Sequence, residues 1–130
     1  MKRLIKASLI CMLLLSLSAT ALATTKFFDT SIYNGPSQEV NSGSKSSATQ
    51  MQIQVARCVH EGTFTKVSFR GYWAGTAVTD RFDFSRTGTQ TKYYKAVDNF
   101  DEGTTVVLKG SVPQTAAVYC KATVGLYWTF

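Results

Sequence analysis

His60 is the only histidine of the chain, and Glu61 follows it directly. A carboxylate beside an imidazole, with an arginine to hold a phosphate, is the equipment of general acid–base cleavage. His60, Glu61 and Arg57 or Arg70 therefore form one conceivable nuclease or hydrolase set. Its weakness is geometric: adjacent strand residues point to opposite faces, so His60 and Glu61 converge only where the chain bends. A solvated histidine at a turn is the plainer reading, and the absence of G-x-S-x-G leaves a serine hydrolase without its motif. Asp98, Asp101 and Glu102, with Asn99 and Gly103, offer the oxygen ligands that Ca²⁺ takes. They do not follow EF-hand spacing, and a charged turn ending in glycine accounts for them. The expectation is no cofactor, no metal and no catalytic constellation.

Aromatic residues carry the stronger signal. Phe27, Phe28, Tyr33, Tyr72, Trp73, Tyr93, Tyr94, Tyr127, Trp128 and Phe130 exceed what a strict core needs. The neighbouring pairs Tyr72-Trp73, Tyr93-Tyr94 and Tyr127-Trp128 place one ring on each face of a strand. Outward rings suit stacking on sugars or anchoring in a partner interface. The expected binding residues are thus Tyr72, Trp73, Tyr93, Tyr94, Tyr127 and Trp128, with Arg70 and the further cations Arg81 and Arg86 nearby.

Period-2 patterning supplies the elements that must position these groups. Met51, Ile53 and Val55 alternate with Gln52 and Gln54, and Val67, Phe69, Gly71 and Trp73 with Ser68, Arg70 and Tyr72. Phe82 and Phe84 flank Asp83, and Val118 to Phe130 runs as one long alternating row. Residues 26–33, 91–97 and 104–112 are further candidate strands, and no long segment follows a 3.6-residue period. Turn chemistry stands at Asn34-Gly35-Pro36, Glu61-Gly62-Thr63, Thr87-Gly88-Thr89 and Asp101-Glu102-Gly103. The polar stretch 36–49 reads as a long loop or flexible arm. About seven short strands predict an all-β fold, a small antiparallel β-sandwich, with a small closed β-barrel as the alternative.

The first 23 residues read as a secretory signal peptide. Lys2, Arg3 and Lys6 precede an apolar run, and Ala21-Leu22-Ala23 has the small-x-small pattern of a cleavage site. Export to an extracellular or periplasmic space follows, with residues 24–49 as an N-terminal strand and polar loop and 50–130 as the main sheet of the same domain. Cys11 belongs to the leader, which leaves Cys58 and Cys120 as an isolated pair. In an oxidising compartment they are expected to form one disulfide, worth roughly 4 kcal/mol on the chain-entropy model. Removing the leader takes three of the fourteen Lys and Arg, so eleven face eight acids and the charge falls from +6 to +3. That scattered, modest charge argues against nucleic acid as a partner.

Gln114-Thr115-Ala116-Ala117-Val118-Tyr119-Cys120 resembles the approach to the second cysteine of an immunoglobulin variable domain, and Trp73 follows Cys58 at a spacing near theirs. Two departures set the chain apart from that family: Val118 stands where the corner tyrosine belongs, and ten residues follow Cys120. The alternating row ending in Phe130 is also similar to the closing strand of an outer-membrane barrel, whose eight or more spanning strands would consume nearly all of this chain. Three function classes remain. The first is an exported non-catalytic binding module for a glycan, cell surface or protein ligand. The second is an antimicrobial or toxin-like membrane-active protein, and the third a small nuclease or hydrolase centred on His60. Edge strands leave a homo-oligomer open.

Overall fold

Alternation builds two layers. In the computed structural model, which describes residues 23–62, 66–112 and 120–130, the described residues form nine strands and no helix. They are β1 (Thr25–Tyr33), β2 (Gln38–Ser44), β3 (Gln50–Gly62), β4 (Val67–Trp73), β5 (Thr76–Ala77), β6 (Phe82–Phe84), β7 (Gly88–Tyr93), β8 (Thr105–Ser111) and β9 (Cys120–Thr129). One sheet has the order β1-β9-β3-β7; the other has β2-β8-β4-β5, with β6 also on β4. All strand pairings are antiparallel. The sheets do not close on each other, so the architecture is the all-β two-sheet form and the barrel alternative is set aside.

The inner face of the first sheet is Ile32 of β1, Met51, Ile53 and Val55 of β3, and Ala122, Val124, Leu126 and Trp128 of β9, all essentially without solvent contact. It meets Val67 and Phe69 of β4, Phe82 and Phe84 of β6, and Val106 and Leu108 of β8. Each such side chain, fully buried, stabilises the fold by about 1.5–3 kcal/mol. Glycines make the close approach possible. A Cβ on Gly43 would meet the ring of Phe130, one on Gly110 would meet Ile32 Cδ1, and one on Gly71 would lie 2.7 Å from Met51 Cε. Three large side chains of the first sheet thus press into three gaps of the second. One corner is sewn by the isolated parallel bridge of Asn34 with Val112 and the 2.9 Å hydrogen bond from Asn34 N to Cys120 O.

Several expectations change. The polar stretch 36–49 holds a strand, β2, whose backbone pairs with β8 although Val40 is its one large apolar residue. The strand expected at 91–97 begins earlier, at Gly88, inside the presumed turn. The leader falls outside the described residues apart from Ala23, as do residues 114–119 of the immunoglobulin-like stretch and Thr63 of the Glu61-Gly62-Thr63 turn, whose flanking strands β3 and β4 join different sheets.

The disulfide is corrected. Cys58 and Cys120 are both free thiols. In the β3–β9 ladder Cys58 stands opposite Val124, and Cys120 opposite Gly62. Four positions at about 3.3 Å each separate them by about 13 Å along the strands. A bridge needs Cα atoms about 4.4–6.8 Å apart. β9 is central in its sheet, between β1 and β3, and backbone hydrogen bonds hold it there.

Candidate functional site

On the solvent side of the first sheet the registers align residues in transverse rows. Gln50 stands beside Tyr93; Thr25, Thr129, Gln52 and Thr91 form the next row, and Phe27, Tyr127, Gln54 and Thr89 the one after. Asp29, Gly125 and Arg57 follow, then Ser31, Thr123 and Val59, then Tyr33, Lys121 and Glu61. A bulge at Ala56 turns Arg57 outward; uninterrupted alternation from Val55 would have aimed it at the core.

Among the described residues the exposed large apolar side chains are Phe27 (57%), Tyr33 (42%), Val59 (54%), Tyr93 (71%) and Tyr127 (42%). Every one lies on this face. Phe27 and Tyr127 are cross-strand partners with ring centroids 4.7 Å apart. Around them the face is polar without being strongly charged. Thr25 and Thr129 hydroxyls are hydrogen-bonded at 2.9 Å, those of Ser31 and Thr123 at 3.3 Å, and Gln52 Nε2 donates to Thr91 Oγ1 at 3.2 Å. The Arg57–Asp29 ion pair, 2.9 Å, passes over Gly125, where a Cβ would lie 2.8 Å from Asp29 Oδ1. Lys121 sits 5.6 Å from the centre of the Tyr33 ring. A groove of about 360 Å³, lined by Ala23, Ala48, Thr49, Gln50, Gln52, Thr91 and Thr129, lies along the row between those that carry Tyr93 and Tyr127.

The paired aromatics divide as period 2 demands. Tyr127 and Tyr93 point outward; Trp128 is fully buried, stacked on Phe130 at 4.0 Å, and Tyr94 packs inward against Phe100 at 5.3 Å. Trp73 is also turned in, 5.8 Å from Phe100, and Tyr72 turns out, but on the second sheet. The expected set therefore does not converge: two members share the first sheet's outer face, Tyr72 and Arg70 lie on the opposite side of the molecule, Trp128 is buried, and Trp73 and Tyr94 are half-buried against the core. Phe27, Tyr33 and Val59 join the exposed face. Phe27 and Tyr33 were legible as aromatics in a candidate strand, but not which way that strand turned. Burial without a partner among the described residues for its hydroxyl raises the Tyr94 pKa far above the ordinary phenol value.

The acid–base set is not assembled. His60 faces the same side as Ala122, Glu61 the same side as Lys121, so the two point apart; Arg57 is engaged by Asp29, and Arg70 belongs to the other sheet. The acidic segment is a turn in which Asn99 and Gly103 take left-handed φ values of 62° and 87° and Phe100 dips into the core. Among the described residues no three His, Cys, Asp or Glu gather as a metal site. Compared with family models, curated proteins and solved structures, the chain matches none.

Proposed function

We propose that this is an exported, non-catalytic binding module that takes a cell-surface carbohydrate on the outer face of the β1-β9-β3-β7 sheet. One observation carries the reading: the exposed large apolar side chains of the described residues all fall on one sheet face, interleaved with threonine, serine and glutamine side chains. Scattered singly such residues mean little, whereas gathered on one face they mark a contact surface. The chemistry suits a sugar. A pyranose presents a C–H face that packs on an aromatic ring, and a rim of hydroxyls that needs donors and acceptors. Tyr127 and Tyr93 supply rings, and Gln52, Thr91 and Thr129 between them supply both kinds of polar partner. The groove volume of about 360 Å³ lies at the small end of ordinary ligand sites.

The test is calorimetric titration against sugars selected on a glycan array. Tyr127→Ala and Tyr93→Ala are expected to weaken binding by about 2 kcal/mol each, roughly thirtyfold, and Tyr72→Ala on the other face to leave it unchanged. Equal losses from all three variants, or no saturable sugar binding, would reject the reading. Capture of a protein ligand through the same residues would keep the face and change its partner.

A further inference from the structure

The opposite side of the molecule has a different chemistry. On the outer face of the second sheet, the buried Ser68 and the half-buried Arg70 and Tyr72 of β4 alternate with the inward Val67, Phe69 and Gly71. Their neighbours on β8 are Ser111 opposite Ser68, Lys109 opposite Arg70, and Val107 opposite Tyr72. A concavity of about 210 Å³ opens there, lined by Ser37, Ser68, Arg70, Arg81, Lys109 and Ser111 with Phe69 and Tyr72. Among the described residues no carboxylate lines it.

Arg70 and Lys109 are like charges placed directly opposite each other, an arrangement that destabilises a sheet. Neither is in an ion pair among the described residues. Arg70 is held in place instead: its Nε donates to Thr79 O at 2.9 Å, which leaves the terminal nitrogens for another acceptor. Lys109 Nζ rests 4.8 Å from the centre of the Tyr72 ring. Of the acids at the rim, Asp83 receives Arg81, Lys66 and the Ser68 hydroxyl, and Asp80 is bonded to Lys95 at 2.9 Å. Glu39 of β2 is the cross-strand neighbour of Lys109 on the side away from Arg70, so it faces the lysine and leaves Arg70 without a carboxylate beside it in the row. The concavity is smaller than the sites that take whole cofactors, about 300–1,000 Å³, and fits one compact group.

We propose that this concavity binds a tetrahedral oxyanion, a phosphate or sulfate monoester, with Arg70 and Lys109 as its principal cations and the Ser37 and Ser111 hydroxyls as further donors, the Ser68 hydroxyl being given to Asp83. A dianion offsets the repulsion built between the two strands, and guanidinium and ammonium groups give it charge-assisted hydrogen bonds. The site is independent of the sugar face, on the far side of the sandwich.

The experiment is an amide-resolved NMR titration of the purified protein with inorganic phosphate at constant ionic strength. Saturable shifts are expected at Ser68, Arg70, Lys109 and Ser111. Arg70→Gln and Lys109→Gln should each weaken binding about tenfold, the scale of one lost charge-assisted hydrogen bond. Lys109→Gln removes no hydrogen bond that holds the sheet, so it reads binding even where Arg70→Gln unfolds the chain. Lys121→Gln, on the other face, should change nothing. Parallel arms use a sulfated monosaccharide and phosphatidylcholine vesicles with and without phosphatidic acid. Binding confined to phosphatidic acid vesicles and lost in Lys109→Gln assigns the anion to a lipid headgroup, and binding of the sulfated sugar assigns it to a glycan. Non-saturating shifts with every probe, or an equal effect of Lys121→Gln, would overturn the proposal.

Discussion

Gly43, Gly71 and Gly110 lie on the inner face of the second sheet, and the atoms opposite them belong to Phe130, Met51 and Ile32. Phe130 is stacked on Trp128 and has little room to retreat. Gly43→Ala is therefore expected to destabilise the fold by about 1–3 kcal/mol in urea denaturation, as overpacking does. Gly88→Ala, with nothing within 4 Å of the added carbon, should stay within about 0.5 kcal/mol. Asp83 is the other residue whose surroundings decide its behaviour. Burial alone would raise its pKa, but the Ser68 hydroxyl, Arg81 and Lys66 together hold the carboxyl below the ordinary value. A carboxylate lowered on folding adds stability that is present in full above its unfolded pKa of about 3.9 and is lost as pH falls through the folded value. Asp83→Asn should thus be less stable than the parent at neutral pH, and the difference should close as the pH drops below about 4. A gap unchanged down to acid pH would show that the aspartate acts by shape and not by charge.

At the scale of elements, the β3–β9 ladder decides the state of the cysteines. Its register sets Cys58 and Cys120 four positions apart, with Cys120 buried and Cys58 half-buried. Burial also raises the Cys58 thiol pKa, which slows its reaction. Thiol titration should find Cys58 reacting slowly in the native protein and Cys120 only after unfolding. Finding neither thiol in the denatured, unreduced protein would mean a different pairing of β3 with β9. The bulge in the same ladder gives a second check. Val55 pairs with Leu126 and Arg57 with Gly125, so Ala56 is the extra residue. Deleting it leaves a regular ladder with Arg57 still facing outward. The deletion variant should fold, keep the Asp29–Arg57 pair, and melt within a few degrees of the parent, whereas loss of folding would show that the local twist of the bulge is required.

Across the whole molecule, the two sheets separate stability from contact. Trp128→Ala empties the centre of the core and should cost about 3–5 kcal/mol. Tyr127→Ser and Tyr93→Ser, one residue before the inward-facing Trp128 and Tyr94, should leave thermal stability nearly unchanged while abolishing surface contact. A large loss of stability in those two would mean that the outer face is part of the fold and not an exposed surface. The alternation of Met51, Ile53 and Val55, of Phe82 and Phe84, and of the row from Cys120 to Phe130 was enough to place an all-β chain with the two rings of each aromatic pair on opposite faces, because a strand's faces follow residue parity. Parity does not say which strands are neighbours. The polar β2 was invisible because its pairing with β8 is made by backbone groups that every residue carries. The fate of the cysteines, the outward turn of Arg57 and the gathering of Phe27, Tyr33, Val59, Tyr93 and Tyr127 on one face all depended on register and on which sheet each strand joined. Those are long-range choices, made by the fit of whole layers, and only the tertiary structure decided them.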